Sequence, residues 1–405
     1  MAKELLLITL SGNDKPGVTS AVTTILANYE ASILDIGQAV IHDTLTLGIL
    51  VEIPTSSESS PILKDLLFRA HELELQVKFQ PISEQSYIEW VGHQGKPRQI
   101  VTLLVRKLSA KHISEVTAVV VKHGLNIDNI SRLSGRVELD TCSDKSKACV
   151  EFSVRGEAQD LSALRSDFME LSSRMDIDIA CQEDNIYRRN RRLVCFDMDS
   201  TLVEAEVIDE LAKAAGVGDQ VTKITEQAMA GELDFTQSFS KRLALLKGMD
   251  ASVLKSIAEN LPVTEGAEQL INTLNKLGYK TAILSGGFTY FANYLKEKLA
   301  IDYVFANELE IVDDKVTGRV VGDVVDGNKK AALLKELAAK ENISLEQVIA
   351  VGDGANDLPM LSIAGLGIAF RAKPLVKASA DHSISNLGLD AILYLLGFRD
   401  REGVN

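Results

Sequence analysis

No stretch of this sequence is apolar for long enough to cross a bilayer, and its start, MAKELLLITLSG, is interrupted too soon to serve as a signal peptide. A membrane is therefore not expected as a partner, and the expected location is the cytoplasm. Proline is scarce, at 8 in 405 residues, and the composition lacks the polar, low-complexity bias of disordered chains, so disorder should be confined to short linkers. Cysteine is scarcer still: Cys142, Cys149, Cys181 and Cys195 form no CxxC pair. They read as buried thiols in a reducing compartment, although Cys142 and Cys149 could pair under oxidation. Positive charge is also in deficit, with 43 Lys and Arg against 57 Asp and Glu and a formal net charge of −14. That field repels phosphate backbones and anionic membranes, which argues against nucleic acid as a partner. A small anionic substrate would need a local cluster of cations or a metal ion to overcome it.

What is present is material for more than one core. With 46% hydrophobic residues over 405 positions, two or three domains are expected. Residues 4 to 53 read as strand (ELLLITLSG), turn (NDKPG), helix (VTSAVTTILANYEA, with Val18, Val22, Ile25 and Leu26 on one face) and a hairpin around HDT. A second helix and a last strand follow, and the order βαββαβ predicts a ferredoxin-like split βαβ unit. A weaker copy runs from RQIVTLLVRKLS to DIACQED, about ninety residues further on. The predicted boundaries are 1–85 and 97–184 for these units, with YIEWVGHQGKPR as linker, then a solvated Arg-rich hinge at NIYRRNRRL. Residues 190–405 form the third domain.

From Leu193 onward, strands that are hydrophobic throughout (RLVCFDMD, YKTAILSGG, YVFANELEI, QVIAVGDG, GLGIAF) alternate with helical stretches, which predicts a Rossmann-like α/β domain with a parallel sheet covered on both faces. Residues 204 to 262 are mainly helical and read as a cap inserted after the first strand. In such sheets the ligand crevice lies at the carboxyl ends of the strands. Asp197 and Asp199 end one strand there, Ser285 and Gly286 another, and Asp353 and Asp357 a third. Several carboxylates at one place are costly unless a cation neutralises them, and hard oxygen ligands favour Mg²⁺. In a metal-bound site one carboxylate can attack phosphorus, while the other, two residues on, serves as acid to the leaving alkoxide and then as base to water. A lone DxD after a strand is more often a turn or helix cap. The ordered set, DMDST, then SGG, then a lysine, then GDGAND, is what favours catalysis.

Through FDMDSTLVEAEVIDELA, FTQSFSKRLALL, AILSGGFTYFA and AVGDGANDLPMLSIAGLGIAF, residues 191 to 405 resemble the haloacid dehalogenase superfamily of phosphatases, and within it the branch that hydrolyses O-phospho-L-serine as the last step of serine biosynthesis. The resemblance implies that Asp197 is the nucleophile and Asp199 the acid and base. It further implies that Mg²⁺ is held by Asp197, the backbone carbonyl of Asp199 and Asp353, with Asp357 in support. Ser285, the backbone N–H of Gly286, Lys330 and Asn356 would bind the phosphoryl oxygens, and such donors suit charge spread over three oxygens. Lys329 is the alternative to Lys330, which the spacing to Leu333 and Leu334 favours. Glu206 and Arg242 would read the amino acid from the cap, as an anion suits an ammonium and a guanidinium fork a carboxylate. Without the resemblance both read as exposed helical charges. Phe235 either closes over the substrate or packs the cap.

The two N-terminal units resemble ACT domains, which implies amino-acid sensing, with serine or another amino acid as effector, or assembly into a homodimer or higher homo-oligomer. In the first, LSGNDKPGVTSAV resembles the ligand turn, so that Gly12, Asn13, Asp14 and Gly17 would present N–H groups and a carboxylate. The second copy, VRKLSAKHISEV, lacks the DKPG element. The alternatives are a phosphatase or phosphotransferase acting on another small phosphomonoester, and a mainly amino-acid-responsive regulatory protein.

Overall fold

The computed structural model describes residues 4–54, 59–92, 97–138, 146–156, 158, 160–229 and 232–402. It divides into two compact units, Met1–Lys96 and Pro97–Asn405. The first unit has the order β1 (Glu4–Asn13), α1 (Val18–Asn28), β2 (Ser32–Ile41), β3 (Thr44–Ile53), α2 (Ser59–Glu72), β4 (Gln76–Ile82) and α3 (Glu84–Gly92). Its antiparallel sheet runs β2-β3-β1-β4. Alternate β3 residues, Leu45, Leu47, Ile49, Val51 and Ile53, are buried, and they meet Val18, Val22 and Leu26 of α1 and Ile62, Leu66 and Ala70 of α2. Period two on the strand and three to four on the helices thus produce one apolar interior. Edge strand β2 instead leaves Ile33, Ile36, Val40 and Ile41 exposed. The helix α3 occupies the start of the segment expected as a linker.

The second unit begins with the same topology: β5 (Arg98–Val105), α4 (Ala110–Lys122), β6 (Asn126–Arg132), β7 (Ala148–Arg155), α5 (Leu161–Met175) and β8 (Asp178–Glu183), in sheet order β6-β7-β5-β8. The two copies differ in how their strands are covered. β1 alternates, whereas seven consecutive residues of β5, Gln99 to Val105, are buried. A strand apolar on both sides needs cover on both faces. Here the second face is closed by the rest of the unit, since Leu104, Leu133, Cys149 and Ala180 share one apolar cluster with Val194 and Phe196. Cys149, Cys181 and Cys195 are buried free thiols, and Cys142 lies outside the described residues.

The remainder contains β9 (Leu193–Phe196), the cap helices α6 (Val207–Ala214), α7 (Gly218–Met229), α8 (Phe235–Ala244) and α9 (Val253–Asn260), then α10 (Ala267–Lys276), β10 (Lys280–Phe288), α11 (Thr289–Leu299), β11 (Tyr303–Val312), β12 (Lys315–Val321), α12 (Gly327–Lys340), β13 (Val348–Gly352), α13 (Leu358–Ile363), β14 (Leu366–Phe370), α14 (Pro374–Ser379), β15 (His382–Ile384) and α15 (Ile392–Leu395). The sheet order is β12-β11-β10-β9-β13-β14-β15, parallel except for β12, which pairs antiparallel with β11. Neither β12 nor β15 was anticipated: one is a short return strand of mixed composition, KVTGRVV, the other only three residues long. Alternate residues feed opposite faces, Val194 and Phe196 into one cluster, Leu193 and Cys195 into the other. The cap leaves and rejoins the core through paired segments, with Glu204 N–H donating to Pro262 O (2.8 Å) and Thr264 N–H to Leu202 O (3.0 Å).

The Arg-rich segment expected as a solvated hinge is a correction. Arg188 is 1% exposed and paired with Glu151, and Arg191 is buried with its guanidinium on Glu346 O. Both therefore help to weld the second ferredoxin-like module to the parallel-sheet core. Around them, Gln182 Nε2 donates to Leu395 O (3.0 Å), and Arg106 grips Glu265 with both guanidinium nitrogens (2.9 and 2.8 Å). Arg371 then joins Glu265 (3.2 Å) to Glu204 (2.7 Å), so the chain of charges reaches both strands at the base of the cap.

Buried Asp178 accepts from the N–H groups of Ser385 and Asn386, both at 2.9 Å. Burial lifts its carboxyl to about 6, aided by Asp176 and opposed by those N–H groups and by Lys377. A carboxyl raised on folding contributes stability that is fully present below its ordinary value near 4 and lost as pH rises through about 6. The unfolding free energy of the parent relative to Asp178→Asn should accordingly decline between about pH 4.5 and 7. Urea titrations of both proteins at those two pH values check this, and a difference that does not change with pH contradicts it.

Candidate active site

The carboxyl ends of β9, β10 and β13 point the same way, and each runs directly into a segment of the site. After β9, Asp197 N–H still donates to Val351 O (2.9 Å), so the first acid is held by an extension of the sheet ladder. Its Oδ1 accepts from Met198 N–H (2.7 Å). Asp199 Oδ1 accepts from Val207 N–H at the start of α6 (3.0 Å), which turns this carboxylate toward the base of the cap. Ser200 sits in the left-handed region at φ 56° and donates to Glu206 (2.9 Å). Fully buried Thr201 donates to Asp353 (3.3 Å). These two hydroxyls were not singled out from the sequence, although they stand in DMDST immediately after the acids.

Behind β13, carboxylate oxygens of Asp197, Asp353 and Asp357 all lie within 4.8 Å of one another. Lys330, on the first turns of α12, is 0% exposed and reaches Asp197 at 2.9 Å and Asp357 at 2.7 Å, whereas Lys329 is exposed. Asp357 is further fixed by Gly354 N–H (3.0 Å). One ammonium does not neutralise this set. Burial, followed by the charges of Asp197, Asp357 and Glu206, raises Asp353 to about 8 against the hydroxyl of Thr201. Asp357 rises to about 7 through burial and Asp197, against Lys330 and the Gly354 N–H. Asp199 is also held well above the ordinary range, by burial first and then by Glu206 and Asp197. Lys330 stays above its usual value because Asp197 and Asp357 outweigh the effect of burial. Hard oxygen donors short of positive charge are what a divalent cation requires, so the residues present fit such an ion.

Beside the acids, β10 ends in Ser285, Gly286 and Gly287, and Gly287 N–H donates to the buried Ser285 hydroxyl (2.9 Å). Glycine is required here by close approach: a Cβ on Gly286 would lie 2.8 Å from Phe235 Cζ, and one on Gly287 would lie 2.6 Å from Asp199 Oδ2. Asn356 is half-buried and precedes Asp357. From the cap, α8 starts at Phe235, whose ring stacks on Phe239 at 6.1 Å, and carries Arg242, half-buried, its Nε buried without a hydrogen-bond partner among the described residues. Arg242 is near enough to draw down the carboxyl of Glu206, which desolvation, Asp197 and Asp209 raise even though the residue is exposed at the rim. Acids, lysine, serine turn and cap arginine therefore gather at one end of one sheet.

The ligand turn expected in the first unit is only partly together. Asp14 and Gly17, with Thr19, Gln38 and Leu45, line a cavity of about 350 Å³, and Gly17 precedes α1 at φ 91°. Gly12 packs on Leu75 and Asn13 pairs with Thr44 in the sheet, so neither lines that cavity. In the second module the corresponding loop supplies Arg106 to Glu265, and Ser109 caps α4.

Models of ACT domains match residues 4–80 and 98–182, and a model of haloacid dehalogenase-like hydrolases matches residues 191–365. Fold and site thus define a haloacid dehalogenase-like hydrolase carrying two ACT domains. The chain is 39% identical over 400 residues to a phosphoserine phosphatase from Streptomyces coelicolor, covering 98% of this chain and 93% of that one. It is likewise 39% identical over 397 residues to phosphoserine phosphatase SerB2 of Mycobacterium tuberculosis, covering 98% and 94%. A solved HAD family hydrolase from Salmonella enterica serovar Typhi superposes with TM-score 0.64 at 31% identity, covering 74% of this chain and 98% of the other. The chain belongs to the phosphoserine phosphatase family.

Because Lys330 is the buried counter-charge for two carboxylates, Lys330→Met should cost about 3–5 kcal/mol of unfolding free energy in metal-free protein. Millimolar divalent cation should recover part of that loss by replacing the missing charge. Thermal denaturation with and without cation measures both effects.

Proposed function

We propose that the chain hydrolyses O-phospho-L-serine to L-serine and phosphate, as the last step of serine biosynthesis, in a site that takes Mg²⁺. The observation that carries this reading is the convergence of Asp197, Asp353 and Asp357 around fully buried Lys330, beneath a cap that presents Arg242. Similarity at 39% over nearly the whole chain to phosphoserine phosphatases supports it.

In this reading Asp197, the backbone carbonyl of Asp199 and Asp353 would hold the ion, and Asp357 keeps Lys330 in place. When bound, the ion supplies Lewis-acid polarisation of the phosphoryl oxygens and neutralises the carboxylates. Asp197, fixed by Met198 N–H, attacks phosphorus and forms an aspartyl-phosphate as serine leaves. Asp199, held above the ordinary carboxylate range by burial and by Glu206 and Asp197, gives a proton to the departing alkoxide and later takes one from the attacking water. Ser285, the Gly286 N–H, Lys330 and Asn356 share the charge of the phosphoryl oxygens. Glu206 pairs with the substrate ammonium and Arg242 with its carboxylate, which gives the otherwise unpartnered Nε a ligand. Phe235 covers the Gly286 turn and limits access of water.

We read residues 1–85 and 97–184 as ACT domains and 190–405 as the phosphatase, with the cap at about 204–262. The cavity at Asp14 and Gly17 supports binding of serine or another amino acid by the first domain, and the exposed apolar β2 edge supports assembly as a homodimer or higher homo-oligomer. Sedimentation of the full chain with and without serine examines both. Among the described residues no helix is long and apolar enough to cross a membrane, and the described cysteines are free, which supports a cytoplasmic setting.

Asp197→Asn should lower phosphate release from phosphoserine by about 10³-fold or more and abolish the phosphorylated protein recovered after acid quench. Persistent turnover would exclude Asp197 as nucleophile. Arg242→Ala should reduce kcat/KM about 10²-fold on phosphoserine, yet much less on phosphoethanolamine, which lacks the carboxylate. Equal losses on the two substrates would assign Arg242 another role.

A further inference from the structure

The serine turn and the lysine helix come from different parts of the chain, and one buried side chain stands between them. β10 and β11 are in register up to Leu284 opposite Phe305, and again at Phe288 opposite Asn307. Four positions on one strand therefore match two on the other, and Ser285, Gly286 and Gly287 bulge out of the ladder. Freed from β11, their backbone groups need other partners. Asn307, 2% exposed, supplies one: its Nδ2 donates to Gly286 O at 2.8 Å. Its Oδ1 accepts from Val325 N–H, also at 2.8 Å. Val325 immediately precedes Asp326, which caps α12 by accepting from Lys329 N–H (2.8 Å), and Lys330 follows on that helix.

We propose that Asn307 is a positioning residue for phosphoryl transfer, a two-ended amide staple that sets the spacing between the Ser285–Gly286 turn and the helix carrying Lys330. The chemistry of the partners selects asparagine. A carbonyl only accepts and an amide N–H only donates, so the bridging group must offer one donor and one acceptor at fixed separation without charge. Asp at this position would oppose one carboxylate oxygen to the Gly286 carbonyl. Leu would leave both backbone groups buried and unpaired. The two segments lie side by side, since a Cβ added to Gly286 would reach van der Waals contact with Val325 O at 3.4 Å. Asn307 does not itself touch the phosphoryl group. It acts through the Gly286–Gly287 peptide, whose carbonyl it holds and whose N–H donates to the Ser285 hydroxyl (2.9 Å), and through the placement of Lys330.

The inference rests on the reading of Ser285, Gly286 and Lys330 as the phosphoryl cradle. It is tested with Asn307→Ala and with Asn307→Asp, the latter of nearly unchanged shape should the former fail to fold. Displacement of a reacting group by about 1 Å is enough for a 10²-fold loss. Each folded variant should lose about 10- to 100-fold in kcat on phosphoserine, and the inhibition constant for inorganic phosphate, which probes the cradle alone, should rise by a similar factor. For Asn307→Asp the deficit relative to the parent should shrink toward low pH, where a protonated carboxyl regains the donor. A folded variant within about twofold of the parent in both quantities overturns the proposal. So does loss of kcat with unchanged phosphate inhibition, which would mean that the residue merely supports the sheet. If Ser285→Ala and Lys330→Ala also leave turnover intact, the cradle itself is misread. If they abolish it while the Asn307 variants do not, only the staple fails.

Discussion

One buried ammonium organises this enzyme. Lys330 has no exposed surface, and its contacts to Asp197 and Asp357 tie α12 to the ends of β9 and β13. Withdrawing three charges from water is costly, so the arrangement persists only while each charge keeps its partner. Much of the neighbouring sequence follows from that need. Gly352 leaves room for the Asp357 side chain, which a Cβ there would strike. Thr201 and the Gly354 N–H occupy lone pairs that the lysine cannot reach. The carboxyls remain raised despite all this, so the cluster is under-neutralised by its own protein. A site left short of positive charge is predisposed toward a cation and toward a phosphate that arrives with one.

The catalytic half was unusually legible because its signals are local. Apolar runs ending in DMD, SGG and GDGAND mark both the strands and the ends at which ligands gather, and parallel pairing then brings distant segments together without further information. The spacing to Leu333 and Leu334 favoured Lys330 over Lys329, and Lys330 is the one buried on the apolar side of α12. What escaped were contacts whose partners lie far away in the chain. Asn307 sits in a plain strand, ANELE, and nothing in its vicinity betrays that it answers to Gly286 and Val325. Arg188 and Arg191 looked like solvated charges because Glu151 and the Glu346 carbonyl are 37 and 155 residues away.

The two ACT domains illustrate how one topology is put to different use. In the first, β1 alternates between buried and partly exposed residues and the loop before α1 borders a cavity. In the second, β5 is buried along almost its whole length, and the matching loop gives Arg106 to Glu265. The run IVTLLV is apolar but for Thr102, in keeping with burial on both sides, though the sequence did not say what would supply the second face. That face is the phosphatase, through the cluster shared by Leu104, Cys149, Val194 and Phe196. The carboxylates at the base of the cap and the second ACT domain thus belong to one continuous network, in which Arg371, at φ 44°, joins Glu265 to Glu204.

The order in which a ribosome delivers these pieces adds a temporal side to the seam. Asp178 waits for Ser385 and Asn386, 207 and 208 residues downstream, and Gln182 for Leu395, 213 residues on. At about 5–20 residues per second, the second ACT domain leaves the tunnel some ten to forty seconds before these partners exist. During that interval Asp178 and Gln182, buried and paired in the finished molecule, lack those partners. The stretch from Ser385 to Leu395 is consequently the latch of a module made long before it, and a stop codon just ahead of it would leave those earlier polar groups without these partners.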